Sequence, residues 1–307
     1  MTFSTRLLLV LSAVALLACG CTRRADSNGE LQLVWGRPGI SEGRFRKPRA
    51  IAIDQYDHLY ICDMTARIQV FDADGNFLRV WQTPAHDTGR PTGMNFDREG
   101  NLVVADTHYF RVLFYAPDGT LLRTLGGKQG HEPGEFGLVT NTVQDKAGCY
   151  YVSEYGEYDR IQKFTRDGKF LLQWGGHGDQ PGQFVRPQSL DIDDAGQIWV
   201  ADAGNHRIQV FDGEGKLQFT WGHEGAAPGE LSYPYAVKLD GKGHVYVCEF
   251  GNSRVQKFTL DGKSLGCFGT AGHEPGELAN PWGIVIDSEG RIHIIDSENH
   301  RVERIRM

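Results

Sequence analysis

Six times along the chain, an acid is followed four to six residues later by an arginine that opens an alternating apolar and polar stretch. The fullest copy runs from Val200 to Phe211 and reads Val-Ala-Asp-Ala-Gly-Asn-His-Arg-Ile-Gln-Val-Phe. The acids are Asp63, Asp106, Glu154, Asp202, Glu249 and Asp296; the arginines are Arg67, Arg111, Arg160, Arg207, Arg254 and Arg301. From Arg160 onward the step is 47 residues each time. Self-similarity at such a period marks a solenoid, a propeller or an array, because each unit buries its apolar face only against its neighbours.

Each unit contains four short stretches with strand character. In the fourth unit they are Ser189–Ile192, Ile198–Ala201, Ile208–Phe211 and Leu217–Trp221. Asp193-Asp194-Ala195-Gly196 and Asp212-Gly213-Glu214-Gly215 separate the outer pairs, with the Asp and Gly that tight turns need. Units are joined by links carrying Pro-Gly-[Glu/Gln]-[Phe/Leu], at Pro133–Phe136, Pro181–Phe184, Pro228–Leu231 and Pro275–Leu278.

These link, turn and acid–arginine motifs together resemble the NHL repeat, and the resemblance covers residues 30–307. It implies an all-β, six-bladed β-propeller of four-stranded antiparallel blades. The sixth unit has no fourth strand of its own, whereas Glu30–Gly36 aligns with Lys216–Gly222, a fourth strand with no unit before it. The N-terminal strand is therefore expected to complete the last blade and close the ring, which leaves only short, protected edges.

The first 18 residues read as a signal peptide. Arg6 precedes an apolar run from Leu7 to Ala18 that is too short for a spanning helix of about 20 residues. Leu16-Leu17-Ala18-Cys19 resembles the lipobox of bacterial lipoproteins, which implies cleavage before Cys19 and its lipidation. Residues 19–29 then form a flexible tether, Cys21 included, and the chain is expected to be exported and held in the cell envelope by its lipid alone. Cys62 and Cys248 precede the acids of their units where the others have Ala105, Ser153, Ala201 and Ile295, so they read as tight packing positions. Cys149 and Cys267 show no zinc spacing.

A formal charge of −7 argues against nucleic acid as a partner. The acid–arginine pairs recur in every unit, so they read as structure rather than chemistry, as do His206 and His300 in the repeated loops. Function is sought where the repeats differ. The loop is short in unit one (Met64-Thr65-Ala66) and becomes Thr107-His108-Tyr109-Phe110 in unit two, after an aberrant link from Gln82 to Arg90 that includes His86. In unit three it lengthens to Tyr155-Gly156-Glu157-Tyr158-Asp159. Aromatic loops on one face of a rigid scaffold suit a binding surface.

A second ring follows the start of each innermost strand: Arg49, Thr92, Thr140, Gln188, Tyr235 and Trp282. Arg, Tyr and Trp at a central mouth would hold an anionic or polar ligand by charge and stacking. None of the six is histidine. Among NHL-like propellers the peptidyl-hydroxyglycine amidating lyases hold zinc through histidines at such positions, and Gln188 stands where a ligand would be needed. A calcium-dependent lactonase or esterase is the other enzymatic alternative, with Asn95, Asn141 and Asp191 as oxygen donors and Lys238 set to neutralise Asp191. The expectation is a binding or scaffold protein for an envelope protein, a peptide or a small polar ligand. It includes no catalytic residue, metal or cofactor. The candidate contacts are Arg49, His86, His108, Tyr109, Tyr155, Tyr158, Gln188, Tyr235 and Trp282.

Overall fold

The computed structural model describes residues 29–307. The signal segment, Cys19, Cys21 and the tether up to residue 28 lie outside the described residues. Among the described residues no helix is long and apolar enough to cross a membrane.

Six four-stranded antiparallel sheets form the blades of a propeller. Blades one to five span residues 50–82, 93–126, 138–175, 187–221 and 234–268, each paired in chain order from the innermost strand outward. Blade six joins Pro281–Ile286, Ile292–Asp296 and Arg301–Arg306 to the first strand of the chain, Glu30–Trp35. That strand pairs with the third, Trp35 opposite Val302 and Glu30 opposite Arg306, as the sequence alignment anticipates.

The alternation within strands puts both faces of each blade into contact with neighbours, and the core is accordingly a set of apolar layers between blades. The tryptophans that end outer strands lock successive blades together. A β-carbon on Gly75, Gly119, Gly215 or Gly262 would come within 2.5, 2.7, 2.7 and 2.6 Å of Trp35, Trp81, Trp174 and Trp221 respectively. Each glycine lies at positive φ in the outer hairpin of the following blade, so it both makes the turn and leaves room for the indole. Burying most of such a ring contributes about 2 kcal/mol. Trp35 and Gly75 make this contact across the closure, where Arg304 also donates to the carbonyl of Ala73 at 2.9 Å.

The innermost strands crowd at the axis. Gly93 has no room for a side chain, since a β-carbon there would stand 2.0 Å from the carbonyl oxygen of Thr140. In blades three to six the pairing slips by one residue at Thr140, Gln188, Tyr235 and Trp282. This bulge re-aims side chains towards the channel. The four described cysteines, Cys62, Cys149, Cys248 and Cys267, are free thiols.

Candidate ligand-binding face

The acid–arginine pairs close at 3.1, 2.7, 2.6, 2.8, 2.6 and 2.8 Å in blades one to six. Their partners give them a common task. Arg207 donates to the carbonyls of Asp179, Gln180 and Gln183 in the link entering its own blade, and Asp202 accepts the N–H of Val185. Gln209 adds a donor to the carbonyl of Gln183 and accepts from the N–H of Gly182. The same scheme holds the links before blades one, three, five and six. His206 and His300 act one step further on, accepting the N–H of Tyr233 and Lys47 at the next blade, and Asp159 does so for Arg186. These are structural fasteners, and burial pushes the carboxyls of Asp106, Glu154, Asp202 and Asp296 up despite their arginines.

Blade two departs from the scheme. Its link has no counterpart of the parallel bridge that ties residues such as His177 and Phe184 in the other five. The glutamine position is Leu113. His108 occupies the loop position of Gly204, while Gly89 occupies the link position of Val185. A β-carbon on Gly204 would meet Val185 at 2.5 Å, and one on Gly89 would meet His108 at 2.1 Å, so the small and the large partner have changed places. Burial, reinforced by the charges of Arg49 and Arg90, pulls the His108 imidazole below its ordinary value.

At the mouth of the channel the sequence ring does converge. Arg49 lies over the Trp282 ring at 4.7 Å, and Tyr235 meets Trp282 edge-on at 5.0 Å while stacking on Phe250 at 4.4 Å. Gln188 and Tyr235 are buried, and Gln188 accepts from Arg186 Nε at 3.1 Å. Arg186, which sequence reading does not single out, reaches across to both Tyr155 (4.9 Å) and Tyr235 (5.2 Å). Its signal in the sequence is its place directly before Pro187, a position shared by Lys47 and Arg90 that carries positive φ at Lys47 and Arg186. Among the described residues neither Arg49 nor Arg186 is paired with a carboxylate, and Arg49 Nε and Trp282 Nε1 are buried without a hydrogen-bond partner. Burial, with the neighbouring Arg186 charge, pulls the Arg49 guanidinium below its ordinary value.

The remaining candidates lie elsewhere. Tyr109 and Tyr158 do not project as an exposed aromatic patch; each lies over the arginine of its own pair, at 5.0 and 5.2 Å, and Tyr158 is buried against His131. Cation–π contact favours that placement for both rings, and burial adds to it for Tyr158. His86 is exposed in the link before blade two.

Below the mouth the channel is filled, leaving a void of about 30 Å³ lined by Thr92, Gln188, Lys238 and their neighbours. Lys238 donates to Asn95 Oδ1 at 2.8 Å and stands 3.9 Å from Asp191; Asn95 in turn donates to Asn141 Oδ1 at 2.6 Å. The ammonium thus sits among the oxygens that calcium would need, and these residues do not fit a calcium ion. The six ring positions, carrying no imidazole, do not fit zinc.

Comparison with known proteins agrees with the repeat reading. The family model described as "NHL repeat" matches residues 184–211, 231–258 and 278–305. NHL repeat-containing protein 3 from Mus musculus is 30% identical over 209 residues, 60% of this chain and 57% of that protein. Peptidyl-glycine alpha-amidating monooxygenase B from Xenopus laevis is 35% identical over 126 residues, 38% of this chain and 14% of that protein. The chain therefore spans about half the length of the NHL repeat-containing relatives it matches. Among solved structures, a streptogramin B lyase superposes with a TM-score of 0.64 at 14% identity, covering 90% of this chain and 97% of its own. A gluconolactonase from Xanthomonas campestris gives 0.66 at 14% identity, covering 86% and 87%. At that identity the likeness concerns the fold.

Proposed function

From a six-bladed propeller carrying NHL repeats, we propose a binding protein that takes an anionic ligand at the mouth of its channel. The observation that supports this reading is the pair Arg49 and Arg186. Two guanidiniums lie over Trp282, Tyr155 and Tyr235, neither with a carboxylate in salt-bridge contact among the described residues, in a chain of net charge −7. Keeping two partly desolvated cations side by side is unfavourable unless a counter-charge arrives, and an anion there gains charge-assisted hydrogen bonds and aromatic contact together. The filled channel makes this a shallow site, suited to a carboxylate or phosphate group presented by a small molecule or by an envelope partner. Tethering through Cys19 would hold the propeller, with this site, near the surface of a membrane.

Calorimetric titration of the purified chain with a panel of di- and tricarboxylates and sugar phosphates tests the reading. Binding should weaken at least tenfold in the Arg49→Ala, Arg186→Ala double variant and fall with added salt. Undiminished binding by that variant would remove the mouth as the site. Anchoring is tested separately by incorporation of labelled fatty acid, which Cys19→Ser should abolish.

A further inference from the structure

The anomaly in blade two defines what would complete it. In five blades the acid receives an N–H from the link, at Arg46, Gly137, Val185, Ser232 and Ala279, and the arginine gives its terminal nitrogens to link carbonyls. In blade two neither half is present. Asp106 is fully buried, yet its Oδ1 has no partner, and Arg111 keeps only its Nε bond to Asp106 while its Nη2 is buried without an acceptor. His108 Nδ1 and the Tyr115 hydroxyl are also buried and unpartnered. A buried donor and a buried acceptor left open are costly, and a peptide unit, which carries one N–H and one C=O, satisfies both in the way the links do in the other five blades.

We propose that the blade-two niche binds a turn-forming peptide segment of a partner protein, which supplies an N–H to Asp106 and a C=O to Arg111 as the links do in the other five blades. The niche is covered by a light lid. Tyr109 lies over Arg111 and its hydroxyl accepts the N–H of Thr88 at 3.0 Å, so hydrogen bonding to the exposed link and one cation–π contact hold it shut. The native link does not fill the place, because Pro84, His86, Asp87 and Thr88 run along the exposed surface, and His108, packed against the buried Gly89, must swing aside together with Tyr109 to admit a segment. Arg111 is correspondingly the most exposed of the six arginines, its side chain 20% accessible against 7–13% in the rest. The intact links also indicate the preferred sequence: a turn of the Pro-Gly-Glu type followed by a large apolar residue, which is Leu231 in the link before blade five.

The probe is a synthetic peptide copying residues 225–233, Gly-Ala-Ala-Pro-Gly-Glu-Leu-Ser-Tyr, titrated into the full chain and followed by amide NMR shifts and by anisotropy of a labelled copy. Shifts should centre on residues 106–112 and leave blades four and five unmoved. Tyr109→Ala should tighten binding several-fold by removing the lid. Arg111→Ala should weaken it about tenfold or more, whereas Arg49→Ala at the mouth should not change it. Absence of binding to both the parent chain and Tyr109→Ala would overturn the proposal, as would equal binding to Arg111→Ala in protein that retains its thermal transition.

Discussion

Lys238 Nζ donates to Asn95 Oδ1 at 2.8 Å, joining blades five and two across the propeller axis although 143 positions separate them in the chain. Six innermost strands meet at the axis, and the ammonium spans the gap that no single strand can close. It also lies 3.9 Å from Asp191, whose other oxygen accepts the N–H of Leu239. The residue that could have made the channel a cation site instead fastens it.

Lys238→Met should therefore destabilise the ring by about 1–3 kcal/mol, since Asn95 Oδ1 loses its donor and Asp191 its counter-charge. Thermal unfolding measures the loss. Calcium should raise the Tm of this variant and leave that of the parent chain unchanged; a parent chain equally stabilised by calcium would contradict the fastening role.

Glu303 takes the glutamine position in blade six. It accepts the N–H of Gly276 and pairs with Arg301 at 2.9 Å, but its second oxygen is buried without a donor. Burial pushes its carboxyl up to about 7, above the value near 4.3 expected unfolded. The folded chain thus holds the proton more tightly than the unfolded chain, so stability falls as pH rises between these values, by on the order of 3 kcal/mol. Glu303→Gln should remove this slope and stabilise the protein at pH 8. Chemical denaturation from pH 4.5 to 8 decides it, and identical slopes in both proteins would exclude Glu303 as the source.

Deleting residues 30–36 removes the fourth strand of blade six, including Trp35 and its contact with Gly75. The cooperative melting transition should disappear, because blade six then exposes an unpaired strand and the closure against blade one is lost. An unaltered transition would show that the ring does not depend on this strand.

Arg207→Ala should destabilise more than Arg111→Ala. Both substitutions leave a buried carboxylate uncompensated, at a cost of about 3 kcal/mol or more. Arg207 in addition donates to three link carbonyls, and their loss adds roughly 1–3 kcal/mol. Equal losses in denaturant titrations would mean that the links carry little of the stability.

The ring positions 49, 188, 235 and 282 were legible in the sequence because each follows the same proline in the same repeat, and periodicity assigns register. Arg186 was not, although it stands one residue before that proline, since nothing in a repeat says that its guanidinium will cross to Tyr155 and Tyr235. Tyr109 and Tyr158 looked like projecting contacts in the sequence. The structure turns them onto Arg111 and Arg160, where each ring meets a cation that a one-dimensional reading places merely two residues away.

By itself the sequence determined the blades, their number and their closure. Strand alternation, Asp-Gly turns and the acid–arginine spacing are local patterns that count the units and set their register, and the likeness of those motifs to the NHL repeat, rather than periodicity alone, makes the units blades of a propeller. Only the tertiary structure decided where the repeats fail to satisfy themselves. The open groups of Asp106 and Arg111, the exchange between Gly89 and His108, and the bridge from Lys238 to Asn95 are relations between segments far apart in the chain or between loops whose path no pattern fixes. Hydrogen bonds and close contacts at such places are set by three-dimensional packing, which the order of residues constrains but does not display.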